Sequence, residues 1–60
     1  MDYAKYVKDI RKKLDLTQEQ LAEKIGVKRT TVGNYEIGVI KPSTDVFIKL
    51  QALDPDRQAA

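Results

Sequence analysis

Thr17 and Gln20 stand at the spacing of a capping box, and a glycine, Gly26, closes the same segment. In such a box the Thr17 hydroxyl accepts from the Gln20 main-chain N–H while the Gln20 side chain reaches back to Thr17. A glycine at the far end takes the left-handed conformation that ends a helix at little steric cost. These two signals bracket one short helix with Leu21, Ala22 and Ile25 inward, followed by a tight turn.

The flanking segments fit around it. Tyr3, Tyr6, Val7, Ile10 and Leu14 recur at spacings of three and four, which predicts a first helix from about Tyr3 to Leu14. Asp2 is its N-cap, and Lys5, Lys8, Asp9, Lys12 and Lys13 face water. After Gly26 and the lone apolar Val27, a third helix starts at Lys28 or Arg29 and runs to about Tyr35. Its inward residues are Val32 and Tyr35; Arg29, Thr30, Gly33 and Asn34 point outward. Glu36-Ile37-Gly38 stops it, and Val39 to Pro42 is a loop because Pro42 disfavours helix in the residue before it. Ser43 caps a fourth helix, Asp45 favours its dipole, and Val46, Phe47, Leu50 and Leu53 form its stripe. Asp54-Pro55-Asp56 ends it, and the tail over 55–60 is expected to be disordered. The expected core is Tyr6, Val7, Ile10, Leu14, Leu21, Ala22, Ile25, Val32, Phe47 and Leu50, with Ile40 and Leu53 around it. Several short helices sharing one core make an all-α domain over 1–54.

Composition removes several function classes. A chain of 60 residues is one domain, and it buries only about 60% of the surface it exposes unfolded. It has no Cys and no His, so disulfides and the usual zinc ligands are absent; no metal and no cofactor are expected. The Asp and Glu residues are scattered over solvated faces, no Gly-rich phosphate loop exists, and a domain this small offers no substrate-sized cleft. An enzyme is therefore not expected. No stretch approaches the roughly 20 apolar residues that span a membrane. Residues 1–13 alternate apolar and charged residues, unlike a signal peptide, so a soluble, cytoplasmic protein is expected. Eleven bases against nine acids give a net charge of +2, too little to establish a nucleic-acid partner. Between Lys28 and Lys41 lie three bases (Lys28, Arg29, Lys41) and one acid (Glu36).

The informative unit is 17–36: a capped helix, a Gly turn, and a second helix with one apolar and one short-polar side. This is the helix-turn-helix layout, in which the second helix enters the major groove of DNA. Ala22 is small where the two helices cross, Gly26 supplies the turn, and Val27 and Val32 pin the second helix. From Arg11 to Leu53 the chain resembles the helix-turn-helix domain of lambdoid phage repressors and Cro proteins, the XRE family. The residues that carry the likeness are Arg11, the run from Leu16 to Val27, then Val32, Glu36, Gly38 and Pro42-Ser43.

The resemblance implies a compact four- to five-helix bundle of the lambda-repressor-like type and a function as a DNA-binding regulator of a bacterium, an archaeon or a phage. Gln18 begins the second helix, where the family contacts phosphate from a side chain and from the helix end. Lys28, Arg29 and Thr30 open the recognition helix, where base contacts begin, and Asn34 lies one turn on. Arg29 suits guanine, Asn34 adenine and the Thr30 methyl a thymine methyl; Asn34 has capping the helix end as its other reading. Thr31 and Lys41 join Gln18 as phosphate contacts, and Thr30 and Thr31 have plain polar surface as theirs. Arg11 and Glu36 match an ion pair joining helix 1 to the end of helix 3. Tyr3, Tyr6 and Tyr35 could stack on bases, but their spacing favours packing.

Two departures from the family pattern stand out. Gly33 occupies a position usually held by a small polar residue, and residues 55–60 lack the apolar anchors of the fifth helix through which family members dimerise. The expected function is sequence-specific binding of double-stranded DNA by a transcriptional regulator, a repressor reading a pseudo-palindromic operator as a homodimer that forms in solution or only on DNA. The alternative is an antitoxin or other protein-interaction module, with a toxin protein as partner.

Overall fold

The computed structural model describes residues 2–58 and is all-helical over them, with five helices. They are α1 (Tyr3–Lys13), α2 (Gln18–Ile25), α3 (Arg29–Glu36), α4 (Thr44–Leu53) and α5 (Pro55–Gln58). The four longer helices match the periodicities of the sequence to within a residue or so. None is long and apolar enough to cross a membrane.

Local chemistry sets the boundaries. Asp2 caps α1 by accepting from the Lys5 N–H, and Ser43 caps α4 by accepting from the Val46 N–H. α2 opens on the complete capping box: the Thr17 hydroxyl accepts from Gln20 N–H at 3.1 Å, and the Gln20 side chain accepts from Thr17 N–H at 2.9 Å. Gly26 closes it with φ +72°, its N–H and that of Val27 both directed at the Ala22 carbonyl. Between α1 and α2 the left-handed residue is Asp15, at φ 56°, a conformation that Asp tolerates better than most.

Val7, Ile10, Leu21, Ala22, Ile25, Val32, Tyr35, Val46 and Leu50 form one core, with Tyr6, Leu14, Leu16, Val27 and Leu53 packed against it. α3 packs against both α1 and α2, and α4 touches α1 and α2 to close the core. Phe47 sits at the edge of this core, where Tyr3 meets it edge-on at 5.7 Å between ring centres and Tyr6 at 5.6 Å. Both tyrosines are therefore engaged in packing. Ile40 differs from expectation: it is 42% exposed, beside the exposed Ile37 and Val39. The segment after Gly38 (φ +81°) runs to Pro42 with Val39 and Ile40 exposed along it.

The tail also needs correcting. Pro55–Gln58 forms one helical turn where disorder is expected; Ala59 and Ala60 lie outside the described residues. The reason is polar rather than apolar. Asp54 is buried; its carboxylate accepts from the Asp56 N–H at 3.0 Å and from the Tyr6 hydroxyl at 3.1 Å. Asp56 in turn pairs with Lys13 of α1. Pro55 has no N–H to leave unsatisfied in the first turn of a helix.

Burial, and then the bond and charge of Asp54, raise the Tyr6 hydroxyl pKa above its ordinary 10.0; burial alone raises that of Tyr35. The unfolded chain therefore loses these protons first. The stability they supply is intact below about pH 10 and declines as pH rises through the folded values. Tyr6→Phe is expected to flatten part of that alkaline decline in urea melts run between about pH 8 and 11, and to leave the Tyr35 part. An unchanged slope would remove Tyr6 from this account.

Candidate nucleic-acid interface

α2, the Gly26 turn and α3 present one continuous polar surface. The cap at Lys28 has extended backbone and no side-chain hydrogen bond, since an ammonium cannot accept one. Lys28, Arg29 and Thr30 are exposed at the start of α3; Thr31, Gly33 and Asn34 are half-buried along it. Arg29 and Gly33 lie one turn apart on one line of the helix, and Thr30 and Asn34 on the adjacent line. The other side of α3 is fixed by Val32 and Tyr35 in the core. The structure therefore brings Gln18, Arg29 and Gly33 together, and leaves Lys28 and Thr30 free to face a partner.

Asn34 does not end the helix with its side chain. The main chain does so: Ile37 N–H donates to the Gly33 carbonyl at 3.1 Å, and Val39 N–H to the Asn34 carbonyl at 3.0 Å. Lys41 is exposed in the segment between α3 and α4, next to a shallow hollow of about 180 Å³ shared with Asp2, Tyr3 and Ile40. That volume is below the roughly 300 Å³ at which small-molecule sites begin.

Beneath the surface lies a polar relay. Glu36, at the end of α3, is 7% exposed. Its carboxylate accepts two bonds from the Arg11 guanidinium, from Nε at 2.7 Å and Nη2 at 3.1 Å. Arg11 Nη1 donates onward to the Leu16 carbonyl at 3.2 Å, tying the α1–α2 connection into the same cluster. The bond to Glu36 raises the Arg11 pKa further above its already high ordinary value, so the guanidinium stays charged. The relay continues outward through Gln18. Its Nε2 donates to Glu36 Oε1 at 3.4 Å, and its Oε1 accepts from Arg29 Nη1 at 3.0 Å.

This arrangement changes the electrostatics of the segment. Sequence counting sets one acid against three bases between Lys28 and Lys41. The structure withdraws that acid into the pair with Arg11, so the exposed charges of the segment, those of Lys28, Arg29 and Lys41, are all positive. Arg29 is held by a neutral amide, so its charge is not compensated. The link from Gln18 to both Arg29 and Glu36 is the feature that sequence reasoning missed. The family resemblance implies only a phosphate contact for Gln18, and no sequence spacing joins 18 to 29 and 36.

Two helices set by a left-handed glycine, the second carrying a basic, short-polar outer face on a pinned inner one, define a helix-turn-helix module. The helix-turn-helix family model matches residues 7–53, and the chain belongs to the XRE type of that family. It is 41% identical over 51 residues to the uncharacterized HTH-type transcriptional regulator YobD of Bacillus subtilis (strain 168), covering 85% of this chain and 46% of the relative. To the HTH-type transcriptional regulator ImmR of the same organism it is 36% identical over 53 residues, 88% of this chain and 42% of the relative. An uncharacterized HTH-type transcriptional regulator of Archaeoglobus fulgidus is 39% identical over 44 residues, 73% of this chain and 62% of the relative. The chain thus spans 42–62% of the length of these relatives. No solved structure matches the chain closely enough to count as similar.

The Arg11–Glu36 pair yields an asymmetric prediction. The Arg11 side chain keeps 20% exposure and that of Glu36 only 3%. Arg11→Ala strands a buried carboxylate, whereas Glu36→Ala leaves a guanidinium with some water and the Leu16 carbonyl. Urea denaturation should show Arg11→Ala costing more than Glu36→Ala, both on the order of 3–5 kcal/mol. The double variant Arg11→Met/Glu36→Leu should cost less than either, because no buried charge is then left alone.

Proposed function

We propose that this chain is the DNA-reading domain of a transcriptional regulator, binding double-stranded DNA by inserting α3 into the major groove. One observation carries the reading furthest: Arg29, at the exposed start of a helix pinned from behind, is anchored by a single bond to Gln18. A guanidinium has five N–H donors. The anchor occupies one and leaves a pre-oriented fork for guanine O6 and N7, the commonest specific contact in the major groove.

In this reading Lys28, Arg29, Thr30 and Asn34 face base edges, and Gln18, Thr31 and Lys41 approach phosphates. Gln18 serves twice, because its amide aims Arg29 while the first N–H groups of α2 beside it suit an anionic oxygen. Arg11, Ala22, Gly26, Val32 and Glu36 hold the two helices in their relation and do not touch DNA. Most of the binding free energy comes from phosphate contacts and is salt-dependent; base contacts supply the selectivity. The regulator acts as a repressor at a pseudo-palindromic operator, with two copies reading half-sites about 34 Å apart. The names of the relatives, all HTH-type transcriptional regulators, support a role in transcription regulation. Homodimerisation and repression belong to this proposal, as does a location in the cytoplasm.

Selection from a random duplex pool at physiological salt should enrich a two-fold symmetric sequence. On that sequence, Arg29→Ala is expected to cost about 1–3 kcal/mol and to relax preference at one base pair. Lys41→Ala should weaken operator and random DNA alike and lower the salt slope by about 1. If Arg29→Ala weakened random duplex as much as operator, Arg29 would be a phosphate contact and the base-reading assignment would fall.

A further inference from the structure

The Gln18 amide has only one workable orientation. One neighbour, Arg29, is a cation that needs an acceptor; the other, Glu36, is an anion that needs a donor. Flipping the amide would set donor against donor at Arg29 and oxygen against oxygen at Glu36. The side chain therefore lies along α3, spanning the two turns from residue 29 to residue 36.

The residue between those turns is Gly33. A Cβ built on it would meet the two terminal atoms of Gln18, Nε2 and Oε1, both at 4.0 Å. That is ordinary contact, so an alanine methyl fits. Nothing in the backbone requires glycine here, because Gly33 is not among the residues of positive φ. A longer side chain differs in direction as well as size. Helical side chains lean toward the N-terminus and cover the turn before their own Cα. From position 33 that turn is the one carrying Arg29, so a Cγ or Cδ would occupy the place of the Gln18–Arg29 bond.

We propose that residue 33 is a specificity-determining position that acts without reading a base: the bare backbone of Gly33 is the seat on which the Gln18 amide lies, and through it sets the aim of Arg29. Gly33 is thus a positioning residue, and the helix propensity it forgoes is offset by the unobstructed relay above it. The inference rests on the DNA-reading function proposed for Arg29, and its test separates the two.

The test is a series at residue 33 crossed with Gln18→Ala. Gly33→Ala and Gly33→Gln both introduce good helix formers, so the fold is retained. In the free protein, the Gln18 side-chain NH₂ pair in a ¹⁵N correlation spectrum is assigned by its loss in Gln18→Ala. It should shift little in Gly33→Ala and move to the position of a solvent-exposed glutamine in Gly33→Gln. On operator DNA, discrimination at the base pair whose preference Arg29→Ala abolishes should fall with side-chain reach, slightly for Ala and about tenfold for Gln. In the Gln18→Ala background, Gly33→Gln should cost little more, since the seat has no occupant.

Full additivity of Gly33→Gln and Gln18→Ala would overturn the proposal, showing that the new side chain obstructs DNA directly. An unmoved Gln18 amide in Gly33→Gln would overturn it as well. A wild-type protein with no base preference, whose Gln18 amide still responds to residue 33, would refute base reading by Arg29 and the specificity role with it, while the seat itself stood.

Discussion

A carboxylate inside a 60-residue protein must be paired, because an isolated buried charge costs several kcal/mol, a large part of what a small domain has in total. Glu36 is that carboxylate, and its surroundings organise the molecule. Arg11 reaches it from α1, Gln18 from the start of α2, and Glu36 itself ends α3. Three helices are thereby referred to one point, and the same guanidinium fixes the α1–α2 connection through Leu16. The apolar core holds these helices together and turns Val32 and Tyr35 of α3 inward. The directional bonds at Glu36 add to this, and the rotation of α3 about its axis decides which side chains face outward.

Polar contacts carry a second burden at the far end of the chain. α5 has no apolar anchor, yet it is held to α1 by Asp54, Tyr6, Asp56 and Lys13. The Lys13–Asp56 pair lies on the surface and contributes little, as exposed pairs do. The Tyr6–Asp54 bond is the better protected of the two, since Asp54 is buried and the Tyr6 ring packs on Phe47. A chain with a small core thus secures its end by a clasp.

The fold was legible wherever local chemistry decides. Apolar spacing located α1 and α4, the Thr17–Gln20 box and Gly26 located α2, and Pro42-Ser43 marked the restart. The last helical turn departs from the expected stop although its signal is in the sequence: Asp54 followed by Pro55 is an N-cap and first-turn pair, which reads as a helix start as readily as a stop. The apolarity of Ile40 suggests a place around the core, but the direction of a loop residue has no period to reveal it. The Arg11–Glu36 pair was legible only through the family resemblance. The engagement of Gln18 was not legible at all, because it depends on where three helices meet and not on any spacing in the chain.

Lys28, Thr30 and Asn34 make no side-chain hydrogen bond within the described residues, whereas Arg29 is tethered through Gln18 to the interior. The outer face of α3 therefore divides into positions of unequal evolutionary freedom. Three make no bond that the scaffold would lose on exchange, so in the proposed reading a lineage would drift among related target sites by single steps. The fourth is bonded to residue 18 and through it to 36, so in the proposed reading a change in what it recognises calls for coordinated replacement. Such a module would diversify readily around a fixed letter of its target and abandon that letter rarely.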